Sequence, residues 1–310
     1  MKKLLAILLV LTTIALCACT SKPVTPTDPR TPTETPTEKP TEGFSFNVDN
    51  YPKMGGSLAC LPLGQAITAT QLGISRDDAD KLITFEGSTT DNYRWLLDGT
   101  FDIILAYEPS AEAWDMINAD ENGVEMKAIG ADALVFIGNK DNPVTSLSFD
   151  DISGIYSGKI KNWSELGGKD EEILPFQRNR DSGSQTLFDK LINLGDELME
   201  PPSEFMVGTM IGLLQAVADY NGSDGALGYT VYYYLTQMES GTLDSAKIFD
   251  YEGVTPSNET ISSGEYKLAN DFYVVIRKDA SQDSPERILY NWICSEEGKA
   301  LVEHENYASK

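Results

Sequence analysis

The sequence has little of what catalytic and nucleic-acid-binding proteins depend on. Only one of its 310 residues is a histidine, His304. It lies in a charged segment near the C-terminus, which argues against a Ser-His-Asp triad. Lys and Arg number 24 against 48 Asp and Glu, so the formal net charge is -24. Because nucleic acid favours clusters of basic side chains and none occurs, we expect no nucleic-acid partner. We also expect no catalytic activity, no metal and no cofactor.

Cysteine is equally scarce. The chain has four cysteines, and two of them, Cys17 and Cys19, lie in the N-terminal segment. The others, Cys60 and Cys294, are far apart in sequence. Neither a C-x-x-C pair nor a Cys/His cluster is present, so the sequence predicts no disulfide framework and no zinc site. We expect Cys60 and Cys294 to be free thiols.

The N-terminus has the layout of an export signal. Its apolar run, Leu4 to Leu16, follows two lysines and is too short for a comfortable membrane span. The run ends in Leu16-Cys17-Ala18-Cys19, which resembles the lipobox of bacterial lipoproteins. The resemblance implies a signal peptide over residues 1–18 and a lipid-modified Cys19. Such a protein is extracytoplasmic and anchored to the outer face of the cell membrane.

The segment after Cys19 differs from the rest of the chain in composition. Residues 19–43 are rich in Thr, Pro and Glu and nearly free of apolar residues. Such a segment cannot bury enough apolar surface to offset the entropy lost on ordering. We interpret residues 19–43 as a tether and expect the folded part to begin near Phe44.

From Phe44 onward, short apolar strands alternate with amphipathic helices, which is typical of an α/β protein. The predicted strands include Phe101–Ala106, Ala133–Ile137, Gly225–Tyr229 and Phe272–Ile276. In open α/β sheets, ligands bind at the carboxyl ends of the strands. We therefore expect a ligand-binding site to be formed by the turns at that edge.

One such turn lies within Phe176–Phe188, which reads FQRNRDSGSQTLF. A short apolar run precedes it and a helical apolar stripe follows, so the polar residues sit at a helix N-terminus, where free N–H groups and the helix dipole favour an anion. Ser182 and Ser184 add hydroxyls, Gly183 allows close approach, and Arg178 supplies a permanent charge. A simpler interpretation is that Ser182 or Asp181 only caps the helix.

Two further turns have the same composition. The first runs from Gly55 to Pro62 and contains Ser57; the second contains Ser88, Thr89 and Thr90 and precedes a helix around Tyr93. Three turns with small hydroxyl donors at the starts of helices form a constellation. The sequence therefore predicts a site for a small oxyanion.

The segment Asp151–Trp163, DISGIYSGKIKNW, is the most specific motif in the chain. With the later R-x-x-x-SGS loop, it resembles the substrate-binding proteins of bacterial phosphate ABC importers, within the type II periplasmic-binding-protein (PBP) superfamily. The similarity runs from about Met54 to the C-terminal helix. It implies two α/β lobes joined by a hinge around a central ligand cleft. Residues 44–137 and 263–310 would form one lobe and residues 138–262 the other.

The resemblance also implies a function and a set of ligand-binding residues. Inorganic phosphate would be held between the lobes, and the transmembrane permease of an ABC transporter would recognise the closed, monomeric protein. Positions that match the family's anion contacts are Arg178, Ser182, Gly183, Ser184, Ser88, Thr89 and Thr90. The first turn departs from the family pattern because Cys60-Leu61-Pro62 replaces a threonine-containing sequence. Cysteine is a weak donor, so the Leu61 N–H group or the Ser57 hydroxyl would have to compensate.

A second departure bears on specificity. A family position that often holds a carboxylate falls on Tyr107-Glu108. A carboxylate facing the cleft can accept a hydrogen bond from protonated phosphate but not from sulfate. We include Glu108 among the candidate ligand contacts and expect phosphate selectivity if it faces the cleft. If it faces solvent, selectivity must have another source.

Two alternatives remain at this stage. The same fold could bind another oxyanion, such as sulfate, molybdate or tungstate. The chain could also be a surface sensor or adhesion protein without a transport role. Fold alone does not separate these functions.

Overall fold

The computed structural model describes residues 44–219 and 225–310. The chain divides into an N-terminal unit, Met1–Phe44, and a compact unit, Ser45–Lys310. The predicted signal peptide, the lipid-modified Cys19 and the tether to residue 43 lie outside the described residues.

The predicted strands at Phe101–Ala106, Ala133–Ile137, Gly225–Tyr229 and Phe272–Ile276 are all confirmed. The strands of the described residues are β1 (Met54–Gly56), β2 (Ile103–Tyr107), β3 (Val124–Asn139), β4 (Ser146–Leu147), β5 (Leu174–Pro175), β6 (Gln177–Arg178), β7 (Met206–Val207), β8 (Ala226–Val231), β9 (Ala246–Ile248), β10 (Asp250–Tyr251) and β11 (Ala269–Arg277).

The helices begin mostly at capping residues that the sequence marks. The Ser88 and Ser148 side chains each form a reciprocal capping box, and Ser110 caps a helix through the Ala113 N–H group. The helices of the described residues are α1 (Leu61–Leu72), α2 (Arg76–Asp80), α3 (Thr89–Leu97), α4 (Ala111–Ala119), α5 (Phe149–Tyr156), α6 (Gly183–Leu191), α7 (Met210–Asp219), α8 (Asn258–Ser262), α9 (Pro285–Ile293) and α10 (Glu296–His304). Among these residues, no helix has the length and apolarity that crossing a membrane requires.

The main sheet has the strand order β1-β2-β11-β3-β8-β5, with β9 also paired to β3. The long strand β3 pairs with β11 up to Ala133 and with β8 from Leu134 onward. It therefore belongs to two halves of the fold: the first half contains β1, β2 and β11, and the second half contains β8, β5 and β9. The sequence-based boundary between lobes at residues 137 and 138 stays a prediction, and the change of pairing partner lies close to it.

A continuous hydrophobic core runs through both halves. In the second half it contains a cluster of four aromatic rings, in which Phe188 stacks on Tyr229 with ring centroids 4.7 Å apart and Tyr156 and Phe136 pack edge-on. This cluster lies behind α6, because Phe188 is on the buried face of that helix. It fixes the position of the α6 N-terminus.

Trp163, the last residue of the motif segment, has a structural position. Its side chain is 1% exposed, stacks on Phe249 with ring centroids 5.6 Å apart, and donates from Nε1 to the Gly225 carbonyl at 3.1 Å. The ring therefore joins the loop after α5 to the start of β8. The tryptophan in this motif is therefore explained by its packing in the core and not by contact with a ligand.

We expect Trp163→Ala to lower the free energy of unfolding by about 3 to 5 kcal/mol, because it leaves a large cavity in the core. The control is Trp114→Ala on α4, whose side chain is 37% exposed and should cost about 1 kcal/mol or less. Urea unfolding followed by circular dichroism measures both. Equal losses in the two variants would contradict the structural role of Trp163.

Candidate functional site

A cleft of about 530 Å³ brings together most of the polar turns that the sequence singles out. It is lined by Ser57, Leu58, Ala59, Phe85, Glu86, Gly87, Ser88, Thr89, Asp91, Tyr107, Arg178, Asn179, Asp181, Ser182, Gly183, Ser184, Gly208, Thr209, Met210 and Val231. Seven of the predicted site residues are in this set: Ser57, Ser88, Thr89, Arg178, Ser182, Gly183 and Ser184. Four are not: Cys60, Leu61, Thr90 and Glu108.

Helix starts converge on the cleft. The starts of α3 and α6 line it, and so does the beginning of a short 3-10 helix, Leu58–Cys60, that leads into α1. The α7 start, with Gly208 and Thr209, is a fourth that the sequence analysis did not identify. The sequence signal that could have identified it is the one used for the other turns, namely small residues directly before an apolar helix. First-turn N–H groups lack intrahelical partners, so their partial positive charges favour an anion in the cleft.

Arg178 is a buried cation without a negatively charged partner in the part of the chain that the structure describes. It lies in β6 and is only 5% exposed. Its guanidinium donates to the carbonyls of Val207 at 3.0 Å and Gly208 at 3.2 Å, and to Ser184 Oγ at 3.3 Å. Among the side chains that the structure describes, no carboxylate lies within ion-pair distance of it. Burial lowers the pKa of Arg178, but an arginine remains protonated in a protein. A buried cation is costly without a compensating negative charge, so this position favours an anion.

The start of α6 combines a helix cap with free donors. Ser182 Oγ accepts from the Gln185 N–H at 3.1 Å, so the serine does cap the helix. Capping uses a lone pair of the oxygen and leaves the hydroxyl proton available. The N–H groups of Gly183 and Ser184 have no hydrogen-bond partner among the described residues. Capping and anion binding are therefore compatible at this turn.

The start of α3 is arranged differently. Ser88 Oγ donates to Asp91 Oδ2 at 2.7 Å and also accepts from the Asp91 N–H at 3.1 Å, so its only proton is already used. Thr89 is 4% exposed and lines the cleft. Thr90 turns away from it, because its hydroxyl pairs with Ser110 Oγ at 2.7 Å. Thr89 is thus the available hydroxyl of this turn.

The starts of α3 and α6 approach each other closely. A Cβ atom built on Gly183 would lie 2.7 Å from Thr89 Oγ1, nearer than real Cβ atoms come to other heavy atoms. Glycine at this position therefore permits the approach. As a result, two sets of unpaired N–H groups face the same small volume.

The first turn supplies Ser57 rather than Cys60 or Leu61. Ser57 is 8% exposed and occupies the position before the 3-10 helix, yet it forms no cap. Its buried Oγ has no hydrogen-bond partner among the described residues, which is costly unless a ligand completes it. Cys60 is fully buried beneath the turn, and burial raises the pKa of its thiol well above the usual value. Leu61 begins α1 and does not line the cleft.

Glu108 does not line the cleft either. Its carboxylate forms an ion pair with Lys190, whose Nζ also donates to Asn270 Oδ1 at 2.8 Å. The neighbouring residue, Tyr107, does line the cleft and is 3% exposed. Strand alternation explains the difference, because adjacent residues at the end of β2 point to opposite faces of the sheet.

The sequence analysis missed Asp132, a fully buried carboxylate in β3. It accepts from Tyr107 Oη at 2.5 Å, from the Ala133 N–H at 2.7 Å and from the Tyr233 N–H at 2.9 Å. Burial raises the pKa of Asp132 to about 6, although these hydrogen bonds act in the opposite direction. A single acid within the apolar run Ile129–Ile137 was the available signal.

The described residues do not combine the side chains that a metal site requires. No group of three or more His, Cys, Asp or Glu side chains in residues 44–219 and 225–310 is placed to hold a metal ion. Cys60 and Cys294 are both free, as predicted. His304 is exposed at the end of α10.

Comparison with known proteins identifies the family. A family model described as a PBP superfamily domain matches residues 73–298, well over half of the chain. The chain belongs to the PBP superfamily. The predicted α/β fold is confirmed by solved PBP structures of similar architecture. One is a putative phosphate ABC transporter substrate-binding protein with bound phosphate from Clostridium perfringens, with 24% identity, a TM-score of 0.66, and coverage of 84% of this chain and 100% of that one.

Other PBP relatives agree. An ABC-type phosphate transport receptor from Vibrio cholerae has 22% identity and a TM-score of 0.62, covering 83% of this chain and 99% of that one. The phosphate-binding protein PstS of Bacillus subtilis is 31% identical over 159 residues, which is 50% of this chain and 49% of that protein. The chain thus aligns with about half the length of this relative. The Borreliella burgdorferi PstS is 22% identical over 217 residues, covering 68% of this chain and 75% of that protein.

Asp132 should give the protein a measurable pH dependence. Its pKa of about 6 exceeds the unfolded value of about 4, so the folded state favours the protonated acid. The resulting stabilisation is complete below about pH 4 and is lost as the pH rises through about 6, by roughly 3 kcal/mol in total. We expect the free energy of unfolding of Asp132→Asn, measured by urea unfolding over the same pH range, to lack this decrease with rising pH. Identical slopes in the variant and the parent protein would contradict the burial of an acid at this position.

Proposed function

We propose that this protein is the extracytoplasmic substrate-binding component of a bacterial phosphate importer. It binds inorganic phosphate between its two lobes and delivers it to the transmembrane permease of an ABC transporter. The observation that carries the proposal is Arg178, a buried cation in the cleft with no described carboxylate partner, beside the free N–H groups of α6. The names of the PstS relatives support phosphate as the ligand.

The proposed contacts are the groups with unused donors. They are the Arg178 guanidinium, the Gly183 and Ser184 N–H groups, and the hydroxyls of Ser57, Thr89 and Ser182. Ser88 contributes indirectly, because its capping box orients the N–H group of Thr89. Cys60, Leu61, Thr90 and Glu108 are not part of this set because they do not line the cleft. With nearly every phosphate oxygen matched to a donor, removal of the anion from water is offset.

Transport follows from a change in the angle between the halves. Strand β3 belongs to both halves, and small changes in it near Leu134 would open or close the cleft. In this proposal the closed monomer is the form that the permease recognises. Lipid attachment at Cys19 would hold the protein at the outer face of the membrane, with residues 19–43 as a tether.

Another oxyanion is the second candidate ligand. The ion pair of Glu108 with Lys190 removes the carboxylate that the sequence offered as the basis of phosphate selectivity. Sulfate, molybdate and tungstate therefore belong in the same titration. Binding of no oxyanion at all would favour a sensor or adhesion role.

Isothermal titration of the purified protein, stripped of bound anion, tests the proposal. We expect phosphate to bind and Arg178→Ala to weaken that binding by about 2 to 5 kcal/mol, because a desolvated charge loses its partner. Arg180→Ala is the matched control, since Arg180 is two residues away and its side chain is 91% exposed. Unchanged phosphate affinity in Arg178→Ala would rule out the proposed site.

The two capping serines should separate binding from stability. Both Ser88→Ala and Ser182→Ala remove a cap and should lower the free energy of unfolding by about 1 kcal/mol. Only Ser182 retains a free hydroxyl proton, so Ser182→Ala should also weaken phosphate binding, by about 1 to 3 kcal/mol. Ser88→Ala loses only the orientation of the Thr89 N–H group and should weaken binding less. Titration and urea unfolding of both variants measure the difference. Equal losses of affinity would show that the caps act through helix stability alone.

A further inference from the structure

We propose that Tyr107, oriented by Asp132, is the hydrogen-bond acceptor in the cleft that selects oxyanions carrying a proton. The inference rests on the proposed function and names the residue that would set its ligand class. It assigns selectivity to a tyrosine oxygen in place of the Glu108 carboxylate.

The tyrosine proton of Tyr107 points away from the cleft, to Asp132. Asp132 Oδ2 receives the Tyr107 hydroxyl at 2.5 Å, while Oδ1 receives the N–H groups of Ala133 at 2.7 Å and Tyr233 at 2.9 Å. An ionised carboxylate is an acceptor only. The tyrosine is therefore the donor, and its single proton points to Asp132.

The tyrosine oxygen keeps a lone pair after its proton is donated to Asp132. A phenolic hydroxyl can accept as well as donate, and no described group donates to Tyr107 Oη. The residue lines the cleft, and the ring is held by packing against Phe272 and by its position in β2. In this proposal Tyr107 Oη offers the ligand a lone pair and no proton.

A lone pair in the cleft matches a protonated oxyanion and not an unprotonated one. The other polar groups assigned to the anion are donors, which suit the unprotonated oxygens of phosphate and sulfate equally. A phosphate that keeps one proton can donate it to Tyr107, whereas sulfate has no proton and would face an unpaired lone pair. Sites built to pair a ligand hydroxyl reject analogues that lack it.

Tyr107→Phe tests the inference. At about pH 8, Asp132 is ionised because its pKa is about 6, and phosphate keeps one proton. We expect the variant to bind phosphate and arsenate about 10- to 100-fold more weakly. Sulfate affinity should stay the same or rise, so the preference for phosphate over sulfate should fall by the same factor.

Asp132→Asn is an independent second variant. Its amide oxygen can keep the two N–H donors at the Oδ1 position, and its amide nitrogen would then donate to Tyr107 Oη. The tyrosine proton must turn away from residue 132, so Tyr107 would become a donor towards the cleft. We expect the preference for phosphate over sulfate to fall here as well, with sulfate binding strengthened.

Tyr93→Phe is the matched control. Its hydroxyl is also fully buried and donates to the Tyr107 carbonyl at 2.9 Å, but Tyr93 does not line the cleft. This variant should leave the ratio of phosphate to sulfate affinity unchanged. Circular dichroism and thermal unfolding establish that each variant is folded.

The outcomes separate this inference from the proposed function. If the parent protein binds phosphate and both Tyr107→Phe and Asp132→Asn leave the affinity ratio unchanged, or weaken all anions equally, the role of Tyr107 is wrong and the transport proposal stands. A parent protein that binds no oxyanion overturns both.

Discussion

The structure of the cleft depends on one unbalanced charge, the guanidinium of Arg178. Two main-chain carbonyls and one serine oxygen satisfy part of its hydrogen-bonding capacity, but no described carboxylate neutralises it. The surrounding helix starts add partial positive charge at the same place. A chain with a formal net charge of -24 thereby contains a small volume that favours anions. Glu86, Asp91 and Asp181 also line the cleft, but solvent screens the buried guanidinium less than exposed carboxylates such as those of Glu86 and Asp181.

A second constraint is the strand shared by the two halves. Asp132 lies in β3 next to the point where the pairing partner changes from β11 to β8, and it holds Tyr107 of β2 and the main chain at Tyr233, just after β8. One carboxylate therefore connects the wall of the cleft to the segment that joins the halves.

The sequence predicts the local features well because they have local causes. The strands follow from short apolar runs, and the helix starts at Ser88 and Ser182 follow from capping signals. The difference between these serines is not visible locally, because Ser-x-x-Gln from Ser182 to Gln185 is also a capping-box pattern. In the structure Gln185 Oε1 instead accepts from the Arg178 N–H group at 3.3 Å. The missed features depend on distant partners: Glu108 turns to Lys190, Thr90 to Ser110, and Tyr107 to Asp132. Strand register and packing decide these pairs, and no single stretch of sequence contains them.

The position of β11 also determines when the chain can fold during synthesis. Ala269–Arg277 lies between β2 and β3 in the sheet, although it follows them by more than a hundred residues. Until this segment leaves the ribosome, β2 and the first part of β3 have unpaired edges and the sheet cannot close. The N-terminal half therefore has no complete core to form early. In the proposed role, in which the chain crosses a membrane before it folds, late completion of the sheet would keep the chain unfolded until export is complete.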